Sequence, residues 1–461
     1  MNSRTIRLAA AGSALAVVGA LAGCSGSSDS SDASGSAQAS GDTSEASIAG
    51  WTPNEGRPEG EIHVLVFSDS VAEVERAAAE RFNETSDIKV VIDEGASAGV
   101  EYNTQVRTQI GTDSAPDIFM SWGSAGIQPL VDADALLPLD SFIEDDPMLQ
   151  DAFLPSVFNE EVIDGSAYGI PMRGVAPEFL YYNTDVLADA GLEPPTSWED
   201  FKSQIPVLQD AGYIPVALAG ADKWPDMIWF QFLYARYLGN DAVAQGLAGD
   251  TSVWESDGSK AALAELKDLV DMGAFGSNFA SQSYGGDGTA ALLRNGLAAY
   301  ELMGSWHYGT VKGDAESVDN LGWVAFPDFT EGDGLDGEIA GNLSNFYNVA
   351  ADTRYPEAVA GFLAELYGDE FLNGQLSFGN VPPTTNAADL IAASDLDEGS
   401  KAHATFVVDL VESAPTFQLS WDQVVPASAQ TASQDATADF FNGAIDDQGF
   451  IDAWNAVVTS E

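Results

Sequence analysis

Ile62-His63-Val64-Leu65-Val66-Phe67 is an apolar run of strand length, and the residues after it decide the fold. Val71, Val74, Ala78 and Phe82 recur three and four positions apart, the apolar stripe of a helix. Residues 88–92 read as a second strand. Val106 and Ile110 mark another helix face, and Asp117-Ile118-Phe119-Met120-Ser121 reads as a third strand. Strands alternating with helices pair in parallel through right-handed crossovers. The chain therefore begins as an α/β layer structure.

The same alternation resumes further on. Residues 179–182 are a strand candidate. Thr196 and Glu199 form a capping box at a helix start, just after Pro194-Pro195. Residues 214–218, 297–302, 322–326 and 345–350 read as strands, and residues 356–367 as an amphipathic helix. The tail over 428–458 is mostly helical. No internal repeat is visible. From about Trp51 onward the chain is too long for one ordinary core, which predicts two lobes.

Toward the N-terminus, Arg4 and Arg7 precede an apolar stretch over residues 8–21. A membrane span needs about 20 apolar residues, so this stretch has the layout of a secretory signal peptide instead. Leu21-Ala22-Gly23-Cys24 ends it and resembles the lipobox of bacterial lipoproteins. That resemblance implies lipidation of Cys24 and cleavage before it. Cys24 is the only cysteine, so no internal disulfide forms. Two acyl chains anchor stably where one is marginal. Residues 25–50 are rich in Ser, Gly, Ala and Asp and are expected to be a disordered tether reaching roughly 28 Å.

The net charge is −55, from 72 acidic and 17 basic residues. Nucleic acid is excluded as a partner, because phosphate binding needs a positive surface. The acid excess reads either as a solvated face that keeps an exported protein soluble or as a lure for a cation. Three histidines and one cysteine leave little for a zinc site. No metal or cofactor is expected.

In open α/β sheets, ligands bind beyond the carboxyl ends of strands. Ser68-Asp69-Ser70 follows the first strand and Trp122-Gly123-Ser124 the third. Trp224-Pro225-Asp226 lies just beyond the strand at 214–218, and Ser305-Trp306 follows the one at 297–302. A sugar has apolar C–H faces and a rim of hydroxyls. Indoles stack on the faces, and Asp, Asn and Arg hold the hydroxyls.

Longer motifs now identify a resemblance. Ala115-Pro116-Asp117-Ile118-Phe119, Leu137-Pro138-Leu139-Asp140 and Tyr168-Gly169-Ile170-Pro171 come in order. Tyr181-Tyr182-Asn183-Thr184-Asp185, Ala190-Gly191-Leu192 and Pro195-Thr196-Ser197-Trp198 follow. Asn295-Gly296, Met303-Gly304-Ser305-Trp306, Gly379-Asn380-Val381-Pro382 and Ser420-Trp421-Asp422 complete the series. From about residue 62 to the C-terminus the chain resembles the family 1 extracellular solute-binding proteins of carbohydrate ABC importers. Trp122-Gly123 and Lys223-Trp224-Pro225 resemble the subset that handles oligosaccharides. The resemblance implies an α/β, two-lobed periplasmic-binding-protein type II fold that closes on ligand and then docks on permease subunits. With the N-terminal reading of a signal peptide over 1–23 and a lipid-anchored linker over 24–56, it implies a first lobe over 57–170 plus 336–384 and a second over 171–335 plus 385–461. The expected setting is the outer face of the bacterial cytoplasmic membrane.

The expected ligand residues are Asp69, Trp122, Gly123, Arg173, Trp224, Asp226, Trp306, Asn342, Trp421 and Asp422, with Trp306 and Trp421 stacking on the sugar from the second lobe. Arg173 either holds hydroxyls or pairs with a carboxylate, and both readings stay open. Asp69 and Asp422 read equally as solvated surface. Trp229 reads as helix packing. Tyr181-Tyr182 reads as a buried strand rather than a ferric-ion pair. Two other functions remain. A secreted glycosidase needs two carboxylates about 5–9.5 Å apart. A receptor for a cation such as a polyamine would use an aromatic cage. The reading carried forward is a non-catalytic oligosaccharide receptor.

Overall fold

Strand β1 (Glu61–Val66) is buried on both faces, with Ile62, Val64, Leu65 and Val66 all in the core. That is the signature of a parallel strand covered by helices on each side. In the computed structural model, which describes residues 52–460 apart from 98, 124, 125, 314, 316, 317 and 427, this strand centres the first of two sheets. The expected signal peptide, Cys24, the tether up to Trp51 and Ser124 lie outside the described residues.

From β1 the chain enters α1 (Ala72–Thr85), β2 (Lys89–Glu94), α2 (Gly99–Gln109) and β3 (Ile118–Ser121). It reaches β4 (Gly169–Pro171), crosses over, and continues as β5 (Ala176–Asn183), α3 (Trp198–Asp210), β6 (Ile214–Ala217), α4 (Trp224–Leu238), β7 (Ala298–Gly304), β8 (Leu321–Val324) and β9 (Ile339–Asn342). It crosses back into β10 (Phe346–Val349), α5 (Pro356–Leu363) and α6 (Asp369–Ser377). It ends as α7 (Glu398–Ser413), β11 (Phe417–Leu419), α8 (Gln430–Phe441) and α9 (Asp447–Val458).

Among the described residues the first sheet has the order β2-β1-β3-β10-β4. β1 runs parallel to β2 and β3, as the strand–helix alternation requires, whereas β10 is antiparallel to both β3 and β4. The second sheet has the order β11-β9-β5-β7-β6, with β8 also on β5. Helix α4 is apolar on nearly every side and runs through the second lobe. Phe230 stacks on Phe450 at 4.7 Å, and Trp229 packs on Phe275, in line with its expected packing role. A helix apolar all round belongs in a core. Tyr181 is likewise buried in β5, and its hydroxyl meets His403 Nε2 at 2.9 Å.

Three expected boundaries move. Ile339–Asn342 pairs with β5 and β11, so the chain returns to the first lobe after Asn342 rather than at 336. The expected linker to 56 stops short, because the Asn54 amide donates to Asp352 O at 2.9 Å and Arg57 is buried against Ala115 and Asp352. At α3 the cap is Ser197, which accepts from the Asp200 amide, while Asp200 accepts from the Thr196 amide at 3.0 Å. The capping box therefore sits one residue later than expected. Among the described residues no helix is long and apolar enough to cross a membrane.

Candidate functional site

The loops at the carboxyl ends of β1, β3, β6 and β7 line a cleft of about 880 Å³, together with residues from both crossovers and from α2 and α8. Trp122 follows β3. Its ring stands edge-on to Phe67 at 5.6 Å and to Tyr102 at 5.7 Å, so one part of the indole is braced and the rest faces the cleft. Gly123 has φ +74°, and a β-carbon there would lie 2.3 Å from Glu161 Oε1. Only glycine meets both demands.

Across the cleft, Trp306 follows β7. Its ring folds back over Gly304, where a β-carbon would come within 1.9 Å of the indole. Trp224 opens α4, with its ring 6.2 Å from Trp306 and 5.1 Å from Tyr284. Trp122, Trp224 and Trp306, three of the four indoles expected at the ligand, are part-buried and line the space.

The polar groups divide into paired and available ones. Arg173, just past β4, binds Glu75 Oε1 at 3.0 Å and Asp69 Oδ2 at 2.6 Å. Burial opposes its charge, but Glu75 and Asp69 outweigh that and raise its pKa. Arg173 is thus paired with carboxylates on a side chain that also borders the cleft. Asp69 also accepts from the Val71 amide at 3.0 Å. Asn342 accepts from the Gln423 side chain. Glu178 is buried in β5. It accepts from Gln231 at 2.9 Å and from Ser420 at 3.2 Å. Burial, reinforced by the charge of Asp422, pushes its pKa up to about 8. Asp422 borders the same end of the cleft, and burial raises its pKa to about 6 against the pull of nearby backbone amides.

Asp69, Trp122, Gly123, Arg173, Trp224, Trp306, Asn342 and Asp422 therefore come together on one cleft. Two expected residues do not. Trp421 is fully buried, packed against Tyr234, Trp254 and Trp454 at 5.3, 5.4 and 4.8 Å. Its indole N–H donates to Gln418 Oε1 at 2.9 Å. It is a core residue and cannot stack on a solute. Asp226 is also buried, in the first turn of α4 and off the cleft wall. Burial raises its pKa to about 7 against the pull of Lys223. At about 100° per residue it is rotated off the side of α4 on which Trp224, Met227, Ile228 and Gln231 line the cleft.

Sequence reasoning missed Glu178, Gln423, Gln430 and Tyr284. Glu178 had a legible signal, a lone acid inside the apolar strand of residues 176–183. Tyr284 had none, since it sits on a loop far from any strand end in sequence. Among the described residues no group of three or more His, Cys, Asp or Glu is placed to hold a metal ion.

Residues 68–371 match the family described as bacterial extracellular solute-binding protein. The chain is similar to an uncharacterized ABC transporter extracellular-binding protein of Pyrococcus horikoshii, at 22% identity over 240 residues. That match covers 50% of this chain and 53% of the relative, about half the length of each. It is similar to a probable sugar-binding periplasmic protein of Rhizobium meliloti at 22% identity over 359 residues, 76% of this chain and 81% of that one. Among solved structures, a chitin oligosaccharide binding protein superposes with a TM-score of 0.75 at 24% identity, covering 86% of this chain and 98% of the other. At that identity the likeness bears on the fold, which is the two-lobed type II architecture.

Proposed function

Because the chain belongs to the bacterial extracellular solute-binding proteins, we propose that it is a receptor that captures an oligosaccharide by lobe closure and delivers it to an ABC-type importer. The observation that carries this reading is the set of three indoles on opposite walls of one cleft, Trp122 from the first lobe and Trp224 and Trp306 from the second. Flat apolar rings match the C–H faces of pyranoses, and the polar side chains between them match hydroxyls. The sugar-binding names of the Rhizobium meliloti relative and of the chitin oligosaccharide binding protein support the same ligand class. A cleft of about 880 Å³ is roomy for a single sugar ring.

A solute bridging both walls favours the closed arrangement by its extra affinity for it. The short crossovers after Pro171 and Asn342 are where the backbone would turn. Capture involves no bond cleavage in this reading, so incubation with oligosaccharides should release no new reducing ends. The Leu21-Ala22-Gly23-Cys24 motif supports a lipid tether on Cys24 that keeps the receptor at the outer face of the membrane. Cys24→Ala should move the protein out of the membrane fraction, and an unchanged distribution would remove the tether from the proposal.

The deciding experiment is a thermal-shift screen of the body from residue 52 onward, across mono- and oligosaccharides and polyamines, followed by calorimetry on the hits. Stabilisation by a neutral oligosaccharide is the expected result. Stabilisation by polyamines alone would replace the sugar with a cation as the solute class.

A further inference from the structure

Among the described residues three non-glycine positions have positive φ: Asp134, Asp164 and Lys223. Of these only Lys223 borders the cleft. Its φ of 63° and ψ of −39° lie outside the left-handed helical region, where ψ is near +47°. The Trp224 amide donates to Asp222 O at 2.7 Å, an i→i+2 bond. Together these define a γ-turn of the positive-φ kind, which is rare and strained. A side chain bearing a β-carbon makes it costlier than glycine would.

Such a conformation persists only where its surroundings over-determine it, and strained backbone concentrates at ligand clamps. Here the turn is held on each side. Before it, Asp222 accepts the backbone amide of Tyr284, the residue whose ring packs on Trp224. At the turn, Lys223 Nζ reaches across to the carboxylate of Asp435 on α8. After it, Pro225 restricts the backbone of Trp224. The Lys223–Asp435 pair is about half exposed on both partners, 45% and 48%. Exposed pairs of this kind add little to global stability. What this one can do is hold a local geometry.

We propose that Lys223 is a positioning residue for solute binding: its strained γ-turn, clamped by Asp435, aims the Trp224 indole into the cleft beside Trp306. This rests on the cleft being the solute site. It assigns a role to a charged residue that need not touch the solute, and it gives the binding of a neutral solute a dependence on salt.

Two arms test it. The first needs no solute. Near-ultraviolet circular dichroism of the wild type and of Trp224→Phe isolates the band that Trp224 contributes beside Trp306. Lys223→Gly and Lys223→Met should weaken that band while melting within a few degrees of wild type, and Lys223→Arg should restore it. The second arm is calorimetry with cellotetraose, raffinose and tetra-N-acetylchitotetraose at low and high salt. Lys223→Gly should bind the responding sugar roughly tenfold more weakly. The wild type should lose affinity as salt rises, and Lys223→Met should lose that dependence. Unchanged Trp224 bands in both Lys223→Gly and Lys223→Met would overturn the proposal. So would a band lost only together with a large drop in melting temperature, since that marks a merely structural turn. If no sugar in the panel binds, the sugar reading is in difficulty, while the first arm still decides the role of Lys223.

Discussion

Ser305-Trp306 and Ser420-Trp421 look alike in sequence, each a serine and an indole at the end of a strand, yet they do opposite work. Trp306 lies part-buried over Gly304 and faces the cleft. Trp421 points into a nest of Tyr234, Trp254 and Trp454, while its neighbours Ser420, Asp422 and Gln423 line the cleft. The difference lies in what is packed behind each strand end. Around Trp421, Tyr234 of α4, Trp454 of α9 and Trp254 leave a site of indole size. At the end of β7, Gly304 leaves the room for the Trp306 ring instead.

The comparison can be broken most forcefully at Trp421. Truncating a fully buried tryptophan costs about 3–5 kcal/mol of stability. Trp421→Ala should therefore lose that much in urea unfolding, while the folded fraction keeps sugar affinity within about tenfold. A normal melting curve with affinity abolished would put Trp421 back in the site. Trp306→Ala should show the reverse. Loss of an aromatic anchor at a binding site costs about 2 kcal/mol, roughly thirtyfold in Kd. Its melting temperature should hold nearly steady, and a large fall would mark Trp306 as core.

Smaller effects sharpen the same contrast. Gly304→Ala inserts a methyl where the Trp306 ring now lies, so the indole must tilt. Calorimetry should read a loss of about tenfold, near 1.4 kcal/mol. Unchanged affinity would mean that the ring's seat is not specific. The cleft side of the Ser420 segment is read through Glu178, which accepts the Ser420 hydroxyl. With its folded pKa pushed up to about 8, Glu178 keeps a proton that the unfolded chain has already released above the ordinary carboxylate range. Its contribution to stability is complete below that range and is lost as pH rises toward 8. The slope from one proton is at most about 1.4 kcal/mol per pH unit. Asp422, raised to about 6, adds to the lower part of that window. Glu178→Gln should flatten the fall of melting temperature between pH 6 and 8, and an unaltered slope would show that Glu178 is ionised in the fold.

Much of this architecture was legible because periodicity is a local property. The apolar run at 62–67 and the stripe of Val71, Val74, Ala78 and Phe82 announced β1 and α1 directly. The parallel pairing of β1 with β2 and β3 follows from that alternation. Strand ends also placed Asp69, Trp122, Gly123, Trp224 and Trp306 where the structure brings them onto one cleft. What was not legible was partnership. Residues 339–342 are not among the expected strands, and only their pairing with β5 and β11 assigns them to the second sheet. Thr196 and Ser197 are both competent caps, and the packed position of Trp198 at the helix start selects Ser197. Glu178 stood out as a lone acid in an apolar strand, but its partners Gln231 and Ser420 lie far along the chain and only the fold brings them to it.

By itself the sequence determined the α/β layering, the position of a cleft beyond the strand ends and the supply of indoles to its walls, because these depend on residue type and spacing along one element. Only the tertiary structure decided which indoles reach the cleft, which acids are buried beside it and where the chain changes lobes. Those outcomes depend on the volume and charge that distant segments bring to each side of a residue, and Trp421 is core because Tyr234, Trp254 and Trp454 converge on it from three other parts of the chain.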